Sequence, residues 1–239
     1  MGVEIYGVNR TPVSIDQGDL TIHLSEQDGN LLYKRSCPDG SLERVLLGSS
    51  ENIILNPVEP LNTPKQISQY LLIEFSTDVL VAPNSRKSIY IKFPVEIGVF
   101  LPRDDGHDLI DIISLSRKKL TLYGTPRKGH VARYWQSGIF ATVPETDPLR
   151  EGVLLLEIKN ESDKWVPVRR SMYDAFGMKI YYNDSLVSAQ ARMTLLSEKK
   201  AETKFITAPL EKGMERSVEL FRSRKLALSD SSYYMGTGL

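Results

Sequence analysis

"VSAQARMTL", residues 187–195, decides the fold. Val187, Ala189, Ala191, Met193 and Leu195 alternate with Ser188, Gln190, Arg192 and Thr194. A helix would scatter those five apolar positions around its axis, whereas a strand puts all five on one face. The same alternation recurs outward in both directions. "DLTIHLS" (19–25) sets Leu20, Ile22 and Leu24 against Thr21, His23 and Ser25, and "SIYIKF" (88–93) sets Ile89, Ile91 and Phe93 against Tyr90 and Lys92. "NIIL", "YLLIEF", "LIDIISL" and "GVLLLEI" are short apolar runs that suit fully buried strands. "PDGS", "APNS", "RDDG", "TPRKG" and "YNDS" separate them with turn chemistry. Many short strands at this spacing predict an all-β chain built as sandwiches or barrels.

One segment reads differently. From Thr207, "TAPLEKGMERSVELFRSRK" offers a capping Thr207, Pro209 in the first turn, and Leu210, Met214, Val218 and Phe221 at helical spacing. Arg222, Arg224 and Lys225 at its end complement a helix dipole. The expectation is therefore two antiparallel, immunoglobulin-like β-sandwich units closed by one C-terminal α-helix. The boundaries are 1–105, 106–208, and 209–239 for the helix and tail. The first boundary follows a reversal of charge. Residues 1–105 carry 9 basic and 14 acidic residues, a net of −5, and residues 106–239 carry 21 and 16, a net of +5.

The whole chain of 239 residues has 30 basic and 30 acidic side chains. A neutral chain lacks the global field of a typical nucleic-acid binder, so any anion site must be local. Cys37 is the single cysteine, which suits a reducing compartment, and it stands in turn sequence without a base beside it. No basic segment followed by an apolar stretch opens the sequence, and no apolar run approaches the roughly 20 residues of a membrane helix. These features predict a cytoplasmic protein. The sequons at Asn9, Asn160 and Asn183 are then chance.

"SRKKLTLYGTPRKGHVARYW" (116–135) holds six Lys or Arg residues and no Asp or Glu. It reads as a hairpin with Arg127 and Lys128 at its tip. Lys119, Arg127, Lys128, His130 and Arg133 form a candidate anion site, with Tyr123 and Tyr134 as rings for stacking nucleic acid. Against that stands a solvated hairpin whose lysines discourage edge aggregation, with Val131 and Trp135 turned into the core. "DDGHDLID" (104–111) gathers Asp104, His107 and Asp108, a candidate divalent-metal set, but its spacing matches no known loop and a solvated inter-domain turn is the simpler reading. His23, His107 and His130 are too far apart in sequence to be assumed convergent. Glu157 and Glu161 are carboxylates that a sandwich hydrolase could use, though no motif singles them out. No nucleophile elbow, zinc-protease, phosphate-loop or dinucleotide signature occurs, and no cofactor is expected.

Five stretches carry a family resemblance: "ILNPVEPLNTPKQISQYLLIEF" (54–75), "KFPVEIGVFLP" (92–102), "LYGTPRKGHVARYW" (122–135), "VPETDPLREGVLLLEIKN" (143–160) and "YDAFGMKIYYND" (173–184). In this order the chain resembles the archaeal family catalogued as domain of unknown function 432, over nearly its whole length. The resemblance implies an archaeal, intracellular protein and supplies no catalytic residue or cofactor. The function expected is a non-enzymatic binding or protein-interaction module with a protein partner. Nucleic-acid or anion binding through the 117–133 hairpin is the alternative, and a hydrolase without a recognisable motif is the third.

Overall fold

The computed structural model describes residues 5–62, 67–220 and 232–239. The strands of its first half are β1 (Gly7–Arg10), β2 (Val13–Gln17), β3 (Leu20–Gln27), β4 (Asn30–Cys37), β5 (Gly40–Leu46), β6 (Asn52–Val58), β7 (Tyr70–Val81), β8 (Arg86–Pro94), β9 (Glu96–Arg103) and β10 (Gly106–Ile113). The second half adds β11 (Leu120–Tyr123), β12 (His130–Ser137), β13 (Glu151–Asn160), β14 (Val166–Asp174), β15 (Tyr181–Tyr182), β16 (Val187–Ser197), β17 (Lys200–Ile206), β18 (Glu215–Arg216) and β19 (Ser232–Met235). Among the described residues there is no α-helix, only a short 3-10 turn at Ala175–Gly177.

Period two governs burial as the side-chain geometry of a pleat requires. In β16, Val187, Ala189, Ala191, Met193 and Leu195 are all fully buried, and in β3 so are Leu20, Ile22 and Leu24. β2–β3–β4–β5 form an antiparallel meander. Its β3–β4 turn places Asp28 and Gly29 at φ of 52° and 75°, the paired left-handed conformation that matches a two-residue hairpin loop to strand twist. A second sheet runs β1–β6–β9–β10. The third has the order β11–β12–β7–β14, and the fourth runs β8–β13–β16, with β15 and β17 sharing the far side of β16.

Strands β7 and β8 are consecutive, yet β7 joins the third sheet and β8 the fourth. Strand pairing also crosses residue 105, through the β9–β10 hairpin and through β7 and β8. Two pairings are parallel, β7 with β12 and β13 with β16. One continuous core joins Leu20 and Tyr33 of the meander to Ile97, Leu154, Met172 and Met193.

The expected C-terminal helix is not present over 207–220, and Phe221–Lys225 lie outside the described residues. Gly213 has φ +92°, a left-handed conformation that no helix interior accepts. Beyond it, β18 pairs with β15, and the Ser217 N–H donates to the Ile180 carbonyl at 2.9 Å. The Val218 N–H donates to Asn56 Oδ1 at 2.9 Å, while Val218 and Leu220 pack on Ile54, Val58 and Phe100. Met214 instead turns to Ser188, whose hydroxyl donates to its sulfur at 3.2 Å. The apolar stripe is thus divided between separate contacts. Backbone partners from β15 and Asn56 replace the helical ones, a tertiary override of propensity. The last residues dock: β19 pairs with β17, Met235 and Leu239 are buried, and Tyr123 donates to the Gly238 carbonyl at 3.1 Å.

Gly152 sits opposite Phe93, and a Cβ there would lie 2.4 Å from the Phe93 ring. The ring is fully buried and cannot withdraw. Gly152→Ala should therefore destabilise the protein by about 1–3 kcal/mol through overpacking. Phe93→Leu combined with it should cost less than the two changes added, as measured by denaturant unfolding.

Candidate functional site

Three loops meet at one end of the third and fourth sheets: 82–85, 161–165 and 198–199. Asn160, the last residue of β13, organises them. Its side-chain amide nitrogen lies 3.1, 3.0 and 2.8 Å from the carbonyls of Val81, Ala82 and Lys164. Its Oδ1 accepts from the Ser162 N–H at 3.0 Å and the Ser162 hydroxyl at 2.8 Å. Backbone bonds from Asn84 to Ser162 and from Glu161 to Leu195 complete the corner. The Asn160 sequon is therefore a buried structural element.

On this rigid end Trp165 is 58% exposed and Leu80 is 59% exposed. Leu80 is the register partner of Pro167, so these two project to the same face, and Trp165 stands one residue before β14, two before Pro167. Val166 and Val168, of opposite parity, are fully buried. Several of the surrounding charges are paired: Arg169 with Asp78 at 2.9 Å, and Lys164 with Glu198 at 3.1 Å. Trp165, Leu80 and Pro167 are the exposed apolar side chains among these charges.

The basic hairpin folds as β11 and β12, with Arg127 and Lys128 exposed at its tip. The other three candidate anion ligands lie elsewhere. The Lys119 ammonium rests 4.0 Å from the centroid of the Tyr134 ring. His130 is exposed at an edge but stacks on Tyr70, with ring centroids 4.6 Å apart, and meets Tyr233 at 5.8 Å. Arg133 is only 2% exposed. The expected faces also exchange: Val131 is exposed, and Tyr123 is buried.

Arg133 instead faces a buried polar region near the start of β9. Among the described residues its Nε and Nη1 have no hydrogen-bond partner, and neither does Glu96 Oε1. Glu96 Oε2 accepts from the Asn62 N–H at 3.0 Å. Burial raises the Glu96 carboxyl to about 7, although Asn62 and the charge of Arg133 oppose that rise. Burial likewise lowers the Arg133 pKa, against the attraction of Glu96 and Asp39. Glu59, three residues before Asn62, is also raised to about 7 by burial, with Glu219 adding to the rise and Lys179 opposing it.

The other candidates occupy structural roles. Asp108 pairs with Arg103, and His107 meets the edge of Phe100 at 6.3 Å. Asp104 is exposed in the β9–β10 turn. Asp111 accepts from the Tyr33 hydroxyl at 2.9 Å and Arg35 Nε at 3.1 Å, joining β10 to the meander. Among the described residues no three His, Cys, Asp or Glu side chains form a metal-holding group. Glu157 pairs with Arg192 and with Arg86 at 3.5 Å, and Glu161 pairs with Lys159 at 2.6 Å. Cys37 accepts from Arg35 Nη1 at 3.0 Å. Among the described residues no helix is long and apolar enough to cross a membrane.

Trp165 and the Glu96–Arg133 region were not anticipated from the sequence. Trp165 did carry a signal, since in "DKWVPV" it has the parity opposite to Val166 and Val168. Glu96 carried none, being a lone carboxylate in an apolar run.

The architecture and surface define an all-β protein with a rigid apolar corner and a basic hairpin. The chain belongs to the family described as protein of unknown function DUF432, whose model matches residues 4–236. No curated protein and no solved structure matches it.

The two buried glutamates make stability depend on pH. Each carboxyl titrates higher in the folded chain than in the unfolded one, so its contribution is complete below the unfolded value of about 4.5. That contribution is lost as pH rises through about 7. At one pKa unit per 1.36 kcal/mol, the loss is on the order of 3 kcal/mol for each group. Denaturant midpoints should fall between pH 5 and pH 8, by roughly this order. Glu96→Gln should flatten the profile by removing one titration.

Proposed function

We propose that the protein is a non-enzymatic protein-interaction module that holds its partner through the corner bearing Trp165, Leu80 and Pro167. The single observation that carries this reading is a tryptophan and a leucine, both more than half exposed, one just before β14 and one near the end of β7, at the corner that Asn160 ties together. Tryptophan is enriched among residues that dominate binding energy, because a large ring buries much area at little entropic cost. A preorganised corner lowers the ordering cost of association. The frame fits the sandwich reading, with β14 lying against β16, β17 and β19 of the facing sheet. An immunoglobulin-like arrangement would likewise present its loops at the ends.

The test begins with a partner isolated from native cell extract on the wild-type chain and then purified. Its affinity for Trp165→Ala should fall roughly 30- to 1000-fold, the range of a hot-spot truncation. Thermal stability should change little, because the removed ring is exposed. Equal affinity for wild type and variant would refute this assignment.

A further inference from the structure

We propose that β11 is an acceptor edge, at which an extended acidic segment of another protein adds as a further strand. This surface is separate from the Trp165 corner and does not depend on it. Among the described residues, β11 and β14 are the two edges of the third sheet. β14 is protected: Pro167 has no N–H to offer, and a register shift between Val168 and Arg170 interrupts the strand. Neither device occurs in Leu120–Tyr123.

The register identifies the open groups. The Tyr134 N–H donates to the Lys119 carbonyl at 2.8 Å, and Leu120 lies opposite Arg133. Antiparallel alternation then aims the backbone groups of Lys119, Thr121 and Tyr123 at β12, and those of Leu120 and Leu122 away from the sheet. Leu120 and Leu122 are 40% and 45% exposed, and Val131, the register partner of Leu122, is 41% exposed. An incoming strand would find main-chain partners along the edge and an apolar row on one face, the two elements of strand addition.

Charge selects the occupant. No Asp or Glu occurs between Asp111 and Glu145, and Arg117, Lys119, Arg127 and Lys128 are exposed. Among the described residues neither Arg127 nor Lys128 has an ion-pair partner, whereas Lys118 is matched by Asp39. A second copy of this edge would bring the same cations opposite these, which is destabilising. An acidic strand gains instead from complementarity. Nucleic acid is less favoured, because the rings it would stack on are engaged: Tyr134 by Lys119, and His130 by Tyr70 and Tyr233.

The probe is a synthetic peptide alternating valine with glutamate, with a lysine-for-glutamate peptide and single- and double-stranded DNA and RNA alongside. All are titrated onto the full chain. The acidic peptide should bind, weaken in about 1 M salt, where charges are screened within about 3 Å, and outcompete the basic peptide. Leu122→Pro removes one outward N–H and leaves the β12 ladder intact, and it should weaken binding roughly tenfold or more. Arg127→Glu with Lys128→Glu should weaken it comparably. Amide exchange on the wild-type chain gives a readout independent of variants: the N–H groups of Leu120 and Leu122 should become protected when the peptide is added. Absent binding, binding without that protection, or nucleic-acid binding in place of peptide binding would each overturn the proposal.

Discussion

The side-chain amide of Asn160 holds the corner on which the two C-terminal sheets depend. It ends β13 in one sheet and bonds the carbonyls of Val81 and Ala82 at the end of β7 in the other. The chain between β7 and β8 must leave one sheet and enter its neighbour within a few residues. That passage exposes carbonyls which the strand ladders cannot satisfy, and a buried unsatisfied carbonyl costs about 1–3 kcal/mol. One buried side chain answers several of them at once and also fixes the loop that precedes Trp165. The rigidity of the exposed apolar corner is a consequence of this internal hydrogen bonding.

A second constraint is the burial of charge near the 59–62 turn. Glu59 and Glu96 are almost completely buried, and Arg133 is buried with two of its nitrogens unpartnered among the described residues. A well-packed apolar substitute would often be as stable as such groups, so their presence is not explained by stability alone. Asn62 connects the two carboxyl-bearing segments: its N–H donates to Glu96, and its side chain donates to the Glu59 carbonyl. The turn is therefore held in part by one carboxyl, that of Glu96, which titrates near neutrality, whereas the Trp165 corner is held by neutral amides and hydroxyls.

The basic hairpin was legible in the sequence as an element, but the placement of its five candidate anion ligands was not. The run of cations and the "TPRKG" turn are local, and the hairpin forms where they place it. Which face is covered is not local. β12 lies beside β7, and the C-terminal tail docks on the side of Tyr123, so Tyr123 is buried and Leu122 and Val131 are left exposed. Arg133 is buried, at a cost that the charges of Glu96 and Asp39, both distant in sequence, partly offset.

The sequence by itself determined that the chain is built of strands and, in β3 and β16, which apolar face turns inward. Side-chain alternation is a property of neighbouring residues, and the alternating apolar positions of those two strands are all buried. Tertiary structure alone decided the partners of those strands, including the two parallel pairings, because period two is the same in either direction. It also decided the fate of residues 207–220. Their helical spacing is a weak local preference, worth at most about 1 kcal/mol per residue. Strand β15 and the side chain of Asn56 satisfy that backbone instead, and both lie far away in sequence.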